Sequence, residues 1–545
     1  MNTVLTALNA RFAHSSLALR YLKRYNSDHT IILREFSIND SLSHIYHGLL
    51  QENADIYGFS CYLWNVELTL KTAEMLKLAK PDCLIFLGGP EAGYRAEEIL
   101  NRYAFVDGVI VGEGEEPLEK VLSLLKSGMA FDDLPSISGF AQRNRPITAG
   151  KTLNLETMPQ PYTAEDIQEN KGKILYFETS RGCPFHCAYC LSSAEDKVRP
   201  FPMEYVKTGL KQFFDAEVPL VKLIDRTFNY DSKRCGEIIR FILENNRNTC
   251  VHMELEPRIL TDELIALLGS APKGMFQVEM GIQSANAKTL EAVGRIFEPE
   301  ETAKNIRSLS QYGNMHIHLD LIAGLPYEDY ESFGKSFDFV YGLRPDMLQL
   351  GFLKVLHGTV LQEEETIQSV SFPPYEVVAT KWISAEELCR LKEVEEAVEL
   401  FYNSGVFVKT MQRLTEHHPH PFAVFETLAD LLVREEKTGK KKRKDWYEIL
   451  YQFLGEDFRD VLSDDFIRHN KSIPLPAFTR PQRERGFKDS VYHLMQDAEF
   501  CRRYEIEPDL SRLRFERMDG IAWMMDYRTG RLFDITDEIE KGIVD

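Results

Sequence analysis

Long apolar runs are missing from this sequence. No stretch approaches the roughly 18 consecutive apolar residues that a membrane-spanning helix needs, and the mean hydropathy of −0.28 is negative. The amino terminus, Met1 to Leu5, also lacks the basic start and the long apolar stretch of a secretory signal. We therefore expect a cytoplasmic protein with no membrane segment.

Cysteine is scarce, which excludes a disulfide scaffold. The 545 residues include nine cysteines, too few to staple a chain of this length. Six of them are scattered along the sequence, namely Cys61, Cys83, Cys235, Cys250, Cys389 and Cys501. The other three, Cys183, Cys187 and Cys190, are clustered, and such a cluster indicates metal chemistry.

Positive charge is also in short supply. The formal net charge of −20 would repel a phosphate backbone over most of the surface, which disfavours a nucleic-acid partner. The one strong basic run, Lys440 to Lys444, stands between two amphipathic stretches. We interpret it as a solvated loop between helices, with a docking patch as the alternative.

Three segments of the chain differ in their patterns, as expected for a length that exceeds one hydrophobic core. Residues 1–145 alternate apolar runs with amphipathic stretches, which predicts a Rossmann-like α/β domain with a parallel sheet. Residues 165–365 repeat this alternation with six strands, which predicts a partial (β/α)6 barrel with its chemistry at the carboxyl ends of the strands. Residues 375–545 form a third, mainly helical domain.

The clustered cysteines have the spacing C-x3-C-x2-C and follow the first strand of the second segment. Three thiolates on one loop can bind three irons of a 4Fe-4S cubane and leave the fourth iron open to another ligand. A structural zinc site and a redox pair of Cys187 and Cys190 are the alternatives. Zinc usually takes four ligands and a redox pair leaves Cys183 unexplained, so the residues favour the cluster.

This loop on a six-stranded α/β barrel resembles the radical S-adenosylmethionine (SAM) superfamily. The resemblance implies that Cys183, Cys187 and Cys190 hold a 4Fe-4S cluster that cleaves SAM, and that Tyr189 lies near the adenine. It also implies an electron donor such as a flavodoxin or a ferredoxin.

Two later strand ends extend the resemblance. Residues 279–284 are similar to the fourth-strand segment that holds the ribose and the methionyl end of SAM, with Glu279, Gln283 and Ser284 as expected contacts. Residues 320–326 resemble the fifth-strand motif whose backbone lies against the adenine. There Ile322 and Gly324 are the expected contacts, and the glycine permits a close approach.

The end of the second barrel strand departs from the family pattern. Many radical SAM enzymes carry a Gly-Gly-Glu signature at this place, which here reads Ile224-Asp225-Arg226. Asp225 could supply the carboxylate that holds the SAM amino group. Arg226 and Arg258 could pair with the SAM carboxylate, with substrate or with a protein carboxylate.

Small residues end three successive strands of the first segment. They are Ser60, the pair Gly88 and Gly89, and the pair Gly112 and Gly114. Small residues there leave room for a dinucleotide or a corrinoid, and the missing G-x-G-x-x-G disfavours a nicotinamide cofactor.

The same layout resembles the cobalamin-binding domain that is fused to many radical SAM enzymes. The D-x-H-x-x-G motif, whose histidine binds cobalt from below in cobalamin methyltransferases, is missing. His14, His44 and His47 all have different neighbours.

The pairing of these domains implies a cobalamin-dependent radical SAM enzyme that methylates an unactivated carbon of a small-molecule or peptide substrate. Ring formation or rearrangement without methyl transfer is one alternative, and a sensor that binds the cofactors without catalysis is another. A tRNA methylthiotransferase should carry three amino-terminal cysteines and a basic RNA-binding end. Cys61 and Cys83 do not make such a triad. The pattern indicates neither the substrate nor an oligomeric state.

Overall fold

The computed structural model describes residues 1–194, 197–296, 298–416, 418–437, 439–482 and 486–542. These residues form two compact units, Met1–Leu388 and Cys389–Asp545. Among the helices described, none has the length and apolar character needed to cross a membrane.

The first unit begins with a six-stranded sheet in the order β2-β1-β3-β4-β5-β6. The first five strands are parallel, and β6 runs antiparallel to β5. This confirms the predicted Rossmann-like region. The strands are β1 (Asn2–Asn9), β2 (Thr30–Ser37), β3 (Ile56–Ser60), β4 (Leu84–Gly88), β5 (Gly108–Ile110) and β6 (Phe140–Gln142).

Helices pack on both faces of this sheet, so the central strands are buried on both sides. The strand order is 2-1-3-4-5, so the crossover connections change direction between β1 and β3. In open α/β sheets, ligands bind where the connections change direction, at the carboxyl ends of the strands. The helices are α1 (Leu17–Tyr25), α2 (Leu42–Gln51), α3 (Val66–Ala79), α4 (Pro90–Gly93), α5 (Ala96–Arg102) and α6 (Glu115–Lys126).

A second six-stranded parallel sheet follows, in the order β14-β13-β12-β11-β10-β7, and its two edge strands are not paired with each other. This confirms the predicted partial barrel. A two-stranded pair, β8 (Ser180–Arg181) and β9 (Arg199–Pro200), flanks the cysteine loop. The barrel strands are β7 (Leu175–Phe177), β10 (Leu220–Leu223), β11 (Cys250–Glu254), β12 (Phe276–Gln283), β13 (His316–Ala323) and β14 (Met347–Phe352).

Most helices of the barrel region begin at a polar side chain that caps the first turn. Asp231, Asn286 and Asp329 each accept a hydrogen bond from a backbone N–H of the first turn that they cap. These helices are α7 (Ala164–Glu169), α8 (Met203–Asp215), α9 (Ser232–Asn245), α10 (Asp262–Gly269), α11 (Ala287–Ala292), α12 (Pro299–Ser310) and α13 (Tyr330–Tyr341). An antiparallel pair, β15 (Ile367–Ser369) and β16 (Val377–Thr380), ends the first unit.

The second unit is mainly helical, as predicted, and α14 (Ala385–Val398) leads into it through a π-helical turn at Glu399–Asn403. Its other helices are α15 (Val408–Thr415), α16 (Pro421–Glu436), α17 (Asp445–Leu454), α18 (Arg459–His469), α19 (Phe487–Gln496), α20 (Ala498–Arg503) and α21 (Thr536–Gly542). It also contains an antiparallel sheet that the sequence did not predict, formed by β17 (Leu513–Met518), β18 (Ile521–Asp526) and β19 (Arg531–Asp534).

Candidate active site

The cysteine loop begins directly after β7 and is anchored by one buried carboxylate. Asp225, at the end of β10, is 1% exposed and accepts three hydrogen bonds from the loop. The donors are the Thr179 backbone N–H at 2.8 Å and the hydroxyls of Thr179 and Ser180, both at 2.6 Å. Burial raises the pKa of Asp225, and these bonds oppose the rise. Both oxygens of Asp225 therefore hold the loop in place, and a contact with SAM, as predicted, would have to share them.

Arg181 ties the cysteine loop to the first sheet. Its guanidinium, 12% exposed, lies 2.8 Å from the carboxylate of Glu178 on the same loop. It also lies 2.7 Å from Glu113 and 2.8 Å from Glu115, which follow β5. Arg199 lies 2.9 Å from Glu113 as well. The ion pairs with Glu113 and Glu115 join residues more than sixty positions apart, so they leave no local signal in the sequence.

The three thiols lie on the loop at the carboxyl end of the barrel. Cys183 and Cys187 are buried and Cys190 is half-buried, with the Cys190 N–H donating to the Cys187 carbonyl at 2.9 Å. The loop thus offers three thiol ligands, which is one fewer than a structural zinc site usually takes and the number that a cubane with one open iron requires.

The predicted SAM contacts near the ends of β12 and β13 differ in their surroundings. Gln283, Ile322 and Gly324 lie at the mouth of the barrel, whereas Ser284 lies in a buried network. The register of β12 shifts between Gly281 and Gln283, and Gln283 has φ 70° with a buried Oε1 that has no hydrogen-bond partner. Gly324 follows β13 with φ 89°, in the left-handed region that favours glycine, and Ile322 is half-buried two residues earlier. Both strand ends therefore present irregular backbone at the mouth of the barrel.

Ser284 belongs to a buried network instead. Its hydroxyl donates to Oε1 of Glu328 at 2.7 Å, and the hydroxyl of Ser336 on α13 donates to the same oxygen at 2.8 Å. Burial raises the pKa of Glu328 to about 7. This network joins the ends of β12 and β13, so Ser284 orders the predicted SAM site from behind. Its direct contact with SAM stays a prediction.

Ionisable side chains line the inward faces of β11 to β13. Nε2 of His252 lies 3.0 Å from Oε2 of Glu279, which is 3.7 Å from Nδ1 of His318, whose Nε2 is 3.1 Å from Oδ1 of Asp320. The hydrogen bond from His252 lowers the pKa of Glu279, although burial opposes this. Burial would lower the pKa of His318, but Asp320 and Glu279 together raise it.

One polar group of this interior is buried without a partner among the described residues. It is Nδ1 of His252, whereas Nε2 of His318 and Oδ1 of Asp320 face one another. Burial raises the pKa of Glu254 to about 7. Glu279, which the sequence predicted to contact SAM, lies four residues before Gln283 and contacts the two histidines.

The carboxyl ends of β3 and β4 meet at a tight turn. Gly89 has φ 96°, and a Cβ there would lie 2.6 Å from the Cys61 carbonyl oxygen, so only glycine fits. Ser60 and Gly88 are paired in register at this edge. After β5, Gly112 has φ 85° with open space around it, and Gly114 precedes α6. The small residues predicted for a cofactor thus lie on three neighbouring strand ends.

Three histidines of the first segment lie after β1 or on α2. Nδ1 of His14 makes a short hydrogen bond with the hydroxyl of Tyr176 on β7. His44 and His47 lie on α2, where His44 packs edge-on against Phe36. That no histidine binds cobalt from below stays a prediction from the missing D-x-H-x-x-G motif.

Three family models match successive parts of the chain. Residues 3–122 match the B12 binding domain, and residues 177–340 match the radical SAM superfamily. The chain thus contains a B12-binding domain and a radical SAM domain. Residues 367–518 match a protein family of unknown function, DUF4080. The cofactors that this pairing implies are a 4Fe-4S cluster, SAM and cobalamin.

Curated relatives of this radical SAM protein include several methyltransferases. A 2-(S-pantetheinyl)-carbapenam-3-carboxylate methyltransferase of Streptantibioticus cattleyicolor is 24% identical over 51% of the chain and 44% of the relative. The cobalamin-dependent radical SAM methyltransferase TokK of Streptomyces tokunonensis is also 24% identical, over 51% and 44%. An uncharacterized methyltransferase of Pyrococcus horikoshii is 23% identical over 67% and 82%. The chain thus spans less than half the length of two of these relatives.

Two solved structures share the fold. The cobalamin-dependent radical enzyme OxsB with aqua-cobalamin bound has a TM-score of 0.61 at 16% identity, covering 86% of this chain and 79% of that one. The radical SAM methyltransferase TsrM of Kitasatospora setae, with cobalamin and a [4Fe-4S] cluster bound, has a TM-score of 0.57 at 14% identity, covering 69% and 79%.

Proposed function

We propose that this radical SAM protein is a cobalamin-dependent methyltransferase that acts on an unactivated carbon of a polar small molecule or peptide. The observation that carries the proposal is the Arg181 network. It joins the loop with the three cysteines to the loop after β5 through ion pairs of 2.7 and 2.8 Å. Methyl transfer between a corrinoid and a radical carbon needs the two cofactor sites held in one fixed geometry, and a largely buried arginine that pairs with three carboxylates can fix it.

Several of the predicted residues have a role in this scheme. Cys183, Cys187 and Cys190 would hold the cluster, and Gln283 with the backbone near Gly324 would hold SAM. Ser60, Gly88 and Gly89, with Gly112 and Gly114, would leave room for cobalamin at the strand ends. When bound, the cluster supplies the electron that cleaves SAM, and cobalamin supplies the methyl group.

The barrel interior favours a polar substrate over an apolar lipid. Lys222 on β10 and Arg226 after it form no ion pair within the described ranges, although the charges of both lower the pKa of Glu254 against the effect of burial. The unpaired Nδ1 of His252 and the pair of His318 and Asp320 add further polar groups. Burying these groups under an apolar ligand would leave them unsatisfied, at a cost of about 1–3 kcal/mol each.

The test begins with the anaerobically reconstituted full-length protein. We expect 5′-deoxyadenosine and methionine from SAM, and corrinoid absorbance near one equivalent in the purified protein. SAM cleavage without bound corrinoid would leave a radical SAM enzyme of another kind, and an intact cluster without cleavage would favour the sensor.

Methyl transfer is tested with SAM that carries a deuterated methyl group. Incubation with a metabolite extract should give a product heavier than its precursor by the labelled methyl, and the Cys187→Ala protein should give none. A product of altered connectivity without the label would favour the ring-forming alternative. A flavodoxin or a ferredoxin as electron donor and a cytoplasmic location complete the proposal.

A further inference from the structure

The turn after α11 packs closely on the cysteine loop. The Ala188 N–H donates to the Val293 carbonyl at 3.0 Å. Gly294 has φ 72°, and a Cβ there would lie 2.9 Å from the backbone oxygen of His186. Because a backbone oxygen cannot easily withdraw, only glycine allows this approach. The approach brings the next residue, Arg295, to the thiols.

The Arg295 guanidinium is held from three sides. Nη2 donates to the Gly281 carbonyl on β12 at 2.7 Å and lies 3.1 Å from Oε2 of Glu256, which follows β11. Nη1 lies 3.8 Å from the Sγ of Cys187, within hydrogen-bonding range of sulfur. With an exposure of 18%, the group is screened little by solvent.

We propose that Arg295 is a positioning residue that raises the reduction potential of the cluster through Cys187. Reduction adds one negative charge to a cluster that three thiolates already make anionic. A fixed cation with an N–H directed at one thiolate stabilises the reduced form more than the oxidised form. Glu256 offsets part of this charge, but it lies on the side of the guanidinium bonded through Nη2, while Nη1 faces the sulfur.

The contact distinguishes Cys187 from Cys183. Among the described residues, the sulfur of Cys183 lies 3.5 Å from the hydroxyl of Thr227, a neutral group. The positive charge of Arg295 therefore lies beside one thiolate only. This asymmetry suits a cluster that would pass its electron to SAM at a single open iron. The contact of Arg295 with the β12 carbonyl also links the cluster to the strand end predicted to hold SAM.

The test is an EPR-monitored redox titration of the reconstituted full-length protein without SAM or substrate. Arg295→Gln removes the charge and should make cluster reduction about tenfold less favourable, a fall of about 59 mV for a one-electron couple. Arg295→Lys keeps the positive charge but lacks the planar guanidinium, so the reduction potential should fall less than in Arg295→Gln. Arg307→Gln removes the same charge from the exposed face of α12 and should leave the potential unchanged.

The proposal is overturned if the Arg295→Gln protein binds its 4Fe-4S cluster and the cluster has the wild-type reduction potential. If that variant does not retain iron, the wild-type protein labelled with 15N-arginine decides. Pulsed EPR of its reduced cluster should reveal coupling to a guanidinium nitrogen, and no coupling would overturn the proposal. The inference rests on the cluster of the proposed function, but not on cobalamin or methyl transfer. The titration is therefore informative even if no methylated product forms.

Discussion

Replacing the buried Glu328 with glutamine should change how the stability of the first unit depends on pH. Glu328 is 1% exposed, has no cationic partner among the described contacts, and accepts hydrogen bonds from Ser284 and Ser336 at one oxygen. Its other oxygen, Oε2, is buried without a partner. Burial raises the pKa from the ordinary 4.5 to about 7, so the folded state holds the proton more tightly than the unfolded chain.

The sign and size follow from this difference. The wild-type unit should lose stability as pH rises from about 4.5 to about 7, because ionising Glu328 costs more in the folded state. The loss should level off above that range at about 3 kcal/mol. Glu328→Gln cannot ionise and keeps the shape of the side chain. Relative to the wild type, it should therefore gain about 3 kcal/mol between pH 4.5 and pH 8.

Urea unfolding followed by tryptophan fluorescence can measure this. In a background with Trp446→Phe and Trp523→Phe, the remaining tryptophans, Trp64 and Trp382, lie in the first unit. Trp382 packs on Tyr327 with ring centroids 4.5 Å apart, and Tyr327 directly precedes Glu328 in the sequence.

The control is Glu331→Gln on α13, whose side chain is 81% exposed and pairs with Lys335. It should follow the wild-type pH dependence. The reasoning is refuted if Glu328→Gln and the wild type lose stability in parallel from pH 4.5 to pH 8.

Three further changes test the cofactor sites and their connection. Cys187→Ala should abolish the visible and EPR spectrum of the reconstituted cluster, whereas Cys235→Ala, at a buried cysteine on α9 outside the loop, should retain it. Gly89→Ala should destabilise the first unit by about 2–4 kcal/mol and weaken corrinoid binding, because it adds a backbone clash to the strain of a positive φ. Gly128→Ala, at φ 93° in open space, should cost only about 1 kcal/mol, and equal effects would contradict the clash. Arg181→Gln should lower the unfolding free energy by about 3–5 kcal/mol, because it leaves buried carboxylates unpaired. Arg181→Lys should lower the unfolding free energy less. A loss within about 0.5 kcal/mol for Arg181→Gln, the size of a surface substitution, would contradict the structural role of the Arg181 network.

The sequence by itself determined the features with a local signature. Alternating apolar runs predicted the parallel strands of the first sheet and the six strands of the second, since burial of a strand on two faces imposes its period on neighbouring residues. The antiparallel strand β6 was not predicted. The C-x3-C-x2-C spacing predicted the cluster loop, and the small residues from Ser60 to Gly114 predicted open strand ends. The missing histidine motif was also evident in the sequence.

Tertiary structure alone decided which distant residues meet. Arg295 reaches Cys187 across 108 positions, and Arg181 reaches Glu113 across 68. Their partners follow from the path of the chain through two sheets, and no local period encodes that path. The same holds for Ser284, whose motif suggested a cofactor contact and whose hydroxyl is bonded to Glu328. Sequence spacing specified the cofactor loops, and the pairing of buried charges fixed how those loops are held together.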